Sequence, residues 1–251
     1  GFPMAGHLAS EGHEVTVWNR TGAKAQAWAE EHEGEAASDP AGAIEGADFV
    51  CLCLGDDPDV EAVFSQFENS LTSGMVVIDH TTASAGLARN LAERCEARGA
   101  MFVDAPISGG QAGAEKGALT IMCGGSDEAM AKAKPVMEAY GARITHIGES
   151  GAGQLAKSVN QICIAGIVQG LSEGIHFAEA NGLDVSKVMA AISGGAAQSW
   201  QMENRWKTMS ERHFDHGFAV DWMRKDLRIA LQAASESGAR LPVTALVDQF
   251  Y

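Results

Sequence analysis

Up to about residue 150 the chain alternates short apolar runs with helix-like segments, and after Gly148 the strand signals stop. The apolar runs are Glu14–Trp18, Asp48–Leu54, Met75–Asp79, Met101–Val103, Leu119–Cys123 and Arg143–His146, with Ala/Glu/Arg-rich stretches such as Ala83–Arg98 and Asp127–Ala139 between them. Runs rich in Val, Ile and Cys, separated by helices, predict a doubly wound α/β sheet whose strands are covered on both faces. From Gly153 to Asn181 neither a proline nor a turn cluster interrupts the chain. That stretch predicts one long helix of about 40 Å at ~1.5 Å per residue. Three further helical segments follow, Asp184–Ile192, Gln198–Met209 and Val220–Ser237. The expected organisation is an α/β domain over residues 1–150 and an all-helical domain over 151–251, joined by the long helix.

Composition narrows the partners. The 251 residues leave room for two domains or one large one, are 46% hydrophobic, enough to bury a real core, and carry a net charge of −15. An acidic surface of that size repels phosphate backbones and argues against nucleic acid, so an anionic ligand must be held by local groups. Of the cysteines, Cys51, Cys53, Cys95, Cys123 and Cys163, only the first two are close together. Two apart on a strand, they share a face. They read as buried thiols of a reducing compartment rather than a metal pair, since no His or Cys ligands flank them. His213 and His216 have a spacing a metal could use but no convincing third ligand, so no metal is expected. No apolar stretch is long enough to span a membrane and no signal peptide is visible, which reads as a cytoplasmic protein.

The opening stretch, GFPMAGHLASEGHEVTVWNRT, carries more information. Pro3–Ser10 reads as a helix, Glu11-Gly12-His13 as a turn and Glu14–Trp18 as a strand. This is the second half of a dinucleotide-binding unit, which runs strand, glycine-rich turn, helix, strand. Gly1 then takes the place of the motif's last glycine, and the first strand and earlier glycines are expected before residue 1. At the end of the second strand an acid would bond the free ribose hydroxyls of NAD. Here stand Asn19, Arg20 and Thr21, with Lys24 one turn on. A guanidinium and a hydroxyl suit a 2′-phosphate, which favours NADP. Arg20 can equally stack on adenine, so NAD stays open, as does a turn with a solvated arginine.

Four more stretches complete a pattern: Asp79-His80-Thr81-Thr82, Asp104 through Ser108-Gly109-Gly110, Gly151-Ala152-Gly153 through Lys157, Asn160 and Gln161, and Lys225-Asp226-Leu227. With the opening they resemble the β-hydroxyacid dehydrogenase family, which includes 3-hydroxyisobutyrate dehydrogenase, tartronate semialdehyde reductase and glyoxylate/succinic semialdehyde reductases. The resemblance runs over the whole chain, with the family's first strand and last helical stretch expected outside it. It implies a Rossmann-type cofactor domain followed by an all-helical domain, and a homodimer or homotetramer. It also implies hydride transfer between NAD(P) and a small β-hydroxy acid or its semialdehyde.

The resemblance further implies roles for single residues. Lys157 would donate or accept the proton; the plainer reading of the residue alone is a solvated helix lysine. Asn160, three residues on and so on the same helical face, would orient the substrate or Lys157. Gln161 stands where many relatives have a second Asn, keeping the amide and adding a methylene. Ser108, Gly109 and Gly110 would present N–H groups and a hydroxyl to the substrate carboxylate, a bare turn being the alternative. Thr82 would lie near the nicotinamide end or cap the helix after it. Lys225 would face cofactor and substrate, or be a surface lysine. Leu54-Gly55-Asp56 ends a strand at the same sheet edge and is given no chemistry. Trp200, Trp206 and Trp222, with Met202, Met209 and Met223, read as helical core or subunit contact. The rivals are 6-phosphogluconate dehydrogenase, which has His where Asn160 stands, an imine reductase, which usually lacks the lysine, and a cofactor-binding module without turnover.

Overall fold

The computed structural model describes residues 1–215 and 217–251. It divides into two compact units, Gly1–Lys157 and Ser158–Tyr251. The first unit runs α1 (Phe2–Ser10), β1 (Thr16–Val17), α2 (Gly22–Glu31), β2 (Glu35–Ala36), α3 (Pro40–Ala43), β3 (Phe49–Leu52), α4 (Asp57–Phe67), β4 (Val76–Asp79), α5 (Ala85–Glu96), β5 (Met101–Asp104), β6 (Ile107–Ser108), α6 (Gly110–Glu115), β7 (Leu119–Gly124), α7 (Asp127–Met137) and β8 (Gly141–Gly148). Helix α8 (Ala152–Ala180) starts in this unit and links it to the second, which continues with α9 (Val185–Ile192), α10 (Trp200–Ser210), α11 (Val220–Ser237) and α12 (Pro242–Phe250).

Among the described residues the strands form two sheets. β1 and β2 pair in parallel; the larger sheet has the order β3-β4-β5-β7-β6, with β8 also on β7. β3, β4 and β5 are parallel and in register, Phe49 against Val76 and Val76 against Met101. β7 reverses direction, meeting β5 through Asp104 and Gly124 and pairing antiparallel with β6.

Alternation along the central strands explains the two cores. Val76, Ile78 and Val103 face α1 and α7, packing with Met4, Leu8, Ala133 and Met137. Val77 and Phe102 face α4 and α5, packing with Val60, Phe64 and Leu91. This period of two with both faces apolar is what a sheet sandwiched between helix layers requires. Cys51 and Cys53, expected to be buried, are exposed. β3 is the end strand of its sheet, and no described strand pairs its outer edge.

In the second unit Leu171, Ile175, Met189 and Met202 form one core, with Trp206 and Met209 against it. Ala165, Met223, Leu227 and Val247 form another. Trp200 and Trp222 stay exposed, under Arg205 at 5.2 Å and Lys225 at 5.6 Å respectively. No helix among the described residues is long and apolar enough to cross a membrane. His216 of the considered metal spacing lies outside the described residues.

Candidate functional site

Three parallel strands end on one edge of the larger sheet, and the loops leaving that edge are tied to one another. After β3, the Leu54 N–H donates to Thr81 Oγ1 at 2.9 Å. Asp57 Oδ1 accepts from the Ser84 N–H at 2.8 Å. After β4, the Thr81 N–H returns to Asp79 Oδ1 at 2.9 Å. Thr82 sits within this tied loop, partly buried. It does not cap α5: Ser84 is the N-cap and its hydroxyl accepts from the Leu87 N–H at 3.1 Å.

The start of α8 is anchored to the same edge by two buried side chains that stand in the motifs but to which the sequence assigns no role. Asp104, the last residue of β5, accepts from the Gly151 N–H at 2.7 Å and the Gln154 N–H at 2.9 Å. A carboxylate there satisfies two of the orphan donors of a helix start. Gln154 in turn donates from Nε2 to the Thr81 carbonyl at 2.8 Å and accepts at Oε1 from the Ala83 N–H at 3.0 Å. The glycines before Lys157 have a steric reason. A Cβ on Gly153 would lie 2.5 Å from the Met122 carbonyl oxygen and 2.6 Å from that of Asp104. Gly151 holds φ +92°, in the region open to glycine. Lys157, just beyond this anchored turn, is only 7% exposed, which is rare for lysine.

A second buried chain follows β4. The His80 ring bonds the Ala105 carbonyl through Nδ1 at 2.8 Å and the Tyr140 hydroxyl through Nε2 at 2.9 Å. The carbonyl only accepts, so Nδ1 carries the proton and Tyr140 donates to Nε2. Burial lowers the His80 imidazole to about 4. Burial also raises the Asp104 carboxyl to about 7, against the lowering effect of the Gly151 and Gln154 N–H groups.

These two shifts act on stability with opposite signs. Between about 4 and about 7 the folded state holds a proton on Asp104 that the unfolded chain has released, so that contribution declines as pH rises. Between about 4 and about 6.5 the unfolded chain protonates His80 and the folded state does not. That contribution is complete above the upper value and is lost as pH falls. At ~1.4 kcal/mol per pH unit each, the slopes offset one another. Urea unfolding between pH 4.5 and 6.5 is therefore expected to show, relative to the parent, a stability rising with pH for Asp104→Asn and falling with pH for His80→Gln. Identical slopes in all three proteins would contradict it.

The other expected residues are placed as follows. Gly109 and Gly110 take φ +128° and +60° at the exposed turn from β6 into α6, where only glycine is comfortable, and Ser108 pairs with Thr120 of β7. Asn19, Arg20, Thr21 and Lys24 are exposed where β1 turns into α2. Asn19 Oδ1 accepts from the Thr21 N–H at 2.9 Å, and Arg20 lies 3.2 Å from Asp59 Oδ1 of α4. Gly1 precedes α1, whose N-terminus has neither a side-chain cap nor an acid in its first turn. A Cβ there would touch Cys53 Cβ at 3.4 Å, an ordinary contact, so close packing on Cys53 does not demand glycine. In the second unit, Asn160 and Gln161 of α8 connect to Asp226 of α11. Gln161 Nε2 donates to Asp226 Oδ2 at 2.6 Å and Asn160 Nδ2 to Gln161 Oε1 at 2.8 Å. Lys225 Nζ is 3.2 Å from Asp226 Oδ1.

Comparison with known proteins covers both units. Residues 1–148 match the family profile described as the NAD binding domain of 6-phosphogluconate dehydrogenase. Residues 151–251 match the one described as NAD-binding of NADP-dependent 3-hydroxyisobutyrate dehydrogenase. A Shewanella frigidimarina protein named as an uncharacterized oxidoreductase is 56% identical over all of this chain and 87% of its own length. The probable 3-hydroxyisobutyrate dehydrogenase-like 1 of Arabidopsis thaliana is 37% identical over all of this chain and 76% of its own. Among solved structures, Mycobacterium tuberculosis 3-hydroxyisobutyrate dehydrogenase with L-serine superposes with a TM-score of 0.91 at 27% identity, over 99% of this chain and 87% of that one.

Proposed function

Because the chain belongs to the β-hydroxyacid dehydrogenase family, we propose that it moves hydride between a nicotinamide dinucleotide and a small 3-hydroxy acid or the matching semialdehyde. The observation that carries this reading is Lys157, a nearly buried amine one turn beyond a helix start that is bolted to the strand edge. Such an amine can exchange a proton with an oxygen while bulk water is kept away.

The residues present fit the dinucleotide. The uncapped α1 N-terminus offers N–H groups and a positive helix end to a pyrophosphate. Asn19, Arg20, Thr21 and Lys24 lie where β1 ends, the position of the adenosine ribose in such folds. The Thr82 loop would border the nicotinamide end. When bound, the nicotinamide accepts or supplies the hydride. In the oxidising direction the neutral Lys157 amine takes the hydroxyl proton; in the reducing direction its ammonium gives one back. Ser108, Gly109 and Gly110 would hold the substrate carboxylate, and Lys225 would stand against cofactor and substrate. The test is cofactor reduction with 3-hydroxyisobutyrate, glycerate and serine, and oxidation with the corresponding semialdehydes. Cofactor binding without turnover of any of them would leave a binding module and overturn the reading.

NADP is the proposed preference. Arg20 is 86% exposed and Asp59 40%, so their ion pair is weakly held and Arg20 is available to a 2′-phosphate. Asp59 competes for that guanidinium and repels the phosphate. Arg20→Ala is expected to raise KM for NADP(H) by about tenfold, with a much smaller effect on NAD(H). Asp59→Asn is expected to lower KM for NADP(H). An Arg20 variant in which the two cofactors keep their ratio would refute the assignment.

A further inference from the structure

A single side-chain amide holds both peptide groups that flank Thr82. Gln154 Nε2 donates to the Thr81 carbonyl at 2.8 Å, and Gln154 Oε1 accepts from the Ala83 N–H at 3.0 Å. A carbonyl only accepts and an N–H only donates, so the amide fits one way round. Peptide groups are planar, so pinning the one before Thr82 and the one after it fixes φ and ψ there, and with them the direction of the Thr82 side chain. The loop is held on its far side as well. The Leu54 N–H donates to Thr81 Oγ1 at 2.9 Å, and Asp57 Oδ1 accepts from the Ser84 N–H at 2.8 Å. Gln154 is 2% exposed, and its own N–H donates to Asp104 Oδ2 at 2.9 Å, so the clamp is anchored to β5. Lys157 follows three residues on, on the same helical face.

We infer that Gln154 is a positioning residue that sets the Thr82 loop and the Lys157 amine in one register. The inference rests on the function proposed above, in which that loop borders the nicotinamide and Lys157 handles the proton. Hydride and proton must then reach adjoining atoms, the carbinol carbon and its oxygen. Their sources belong to different elements, the loop between β4 and α5 and the start of α8. Only a side chain with a donor and an acceptor side by side serves both peptides. Leucine offers neither and leaves two backbone groups unpaired. Glutamate offers both only while protonated. Its O–H can then donate to the Thr81 carbonyl and its C=O can accept from the Ala83 N–H; the carboxylate cannot donate, and its charge opposes the Thr81 oxygen. The charged groups around such a glutamate are Asp104 of β5 at its own N–H, Asp79 of β4 at the Thr81 N–H, Asp57 of α4 at the Ser84 N–H, Arg89 of α5 beside Gly151, and Lys157 one turn on. His80, next to Thr81, is neutral above about 4. Burial and the aspartates favour the protonated acid; Arg89 and Lys157 favour the carboxylate.

The experiment has two readouts, each taken from about pH 6 to about pH 9, the range in which a buried glutamate loses its proton. One is kcat in the reducing direction, with methylmalonate semialdehyde and tartronate semialdehyde and with NADPH and NADH. The other is amide exchange of Ala83 in the cofactor-free protein, always against the parent at the same pH. Gln154→Leu is expected to lower kcat about a hundredfold at every pH, as a displacement of about 1 Å can. It is expected to speed Ala83 exchange about tenfold. Gln154→Glu is expected to stay within about threefold of the parent at the acid end and to approach the leucine variant at the alkaline end, in both readouts. The glutamate variant at acid pH serves if the leucine variant does not fold. The reducing direction separates position from charge. A carboxylate near Lys157 would by charge alone favour the ammonium that reduction needs, and the ratio of variant to parent would rise with pH; loss of the clamp makes it fall. A ratio for Gln154→Glu that is level or rises with pH, or a leucine variant with parental kcat or parental Ala83 exchange, would overturn the inference and leave the proposed function standing. A parent that turns over none of the acids or semialdehydes would remove the proposed function, and the inference with it.

Discussion

Replacing Lys157 with alanine is expected to lower kcat about a thousandfold while cofactor affinity is retained, because a positioned general acid or base contributes on the order of 10²–10⁴. The expectation is specific to the amine. Its surroundings are set by Asp104 and Gln154, which the substitution does not touch, so the variant should keep its α8 start. Arginine at this position keeps a charge but cannot surrender a proton at ordinary pH, and it should fail like alanine. Steady-state rates and a fluorescence titration with reduced cofactor separate the two quantities. A variant with parental kcat would show that another group handles the proton.

The largest expected effect on stability is at Gly153. An alanine methyl would sit 2.5 Å and 2.6 Å from two carbonyl oxygens, those of Met122 and Asp104, and 2.8 Å from Asp104 Oδ2. Carbonyls in a paired sheet cannot swing aside as a flexible side chain can, so the helix start itself must move. Gly153→Ala is expected to cost ~3 kcal/mol or more, the upper range for overpacking. Gly166, further along α8, has no atom within 4 Å of the added methyl. There alanine should stabilise by ~0.5–1 kcal/mol, the ordinary helix preference. Urea unfolding of the two variants side by side tests both. Equal effects would mean that the anchored turn is no tighter than the rest of the helix.

Much of the fold was legible because burial imposes periodicity. The apolar runs became β3, β4, β5, β7 and β8, and the uninterrupted stretch from Gly153 became α8. Strand direction was not legible. An apolar run carries no sign of which way it points, and the reversal at β7 is fixed by two-residue pairings such as Ile107 with Ile121. The two-residue β6 and helix α12, which starts at a proline, left too little pattern to register. Cys51 and Cys53 were expected to be buried and are exposed, because composition marks an apolar run but not which of its faces is covered. The site divides in the same way. Residues that stand in motifs, Lys157, Asn160 and the Ser108–Gly110 turn, could be named from the chain alone. Asp104, Gln154 and Asp226 stand in the same motifs, but their supporting role could not be read there. Each acts through a hydrogen bond to a residue tens of positions away. An acid closing a buried strand is the one local sign that could have drawn attention to Asp104.

Helix α8 distributes two tasks along its length. Its first turn takes its direction from the strand edge through Asp104 and Gln154, and it carries the nearly buried Lys157 just beyond that grip. One turn later its side chains answer instead to α11, through Asp226. Under the proposed function, substitutions around residues 160, 161 and 226 would act on the contact with α11 while the turn that sets Lys157 keeps its ties to the strand edge.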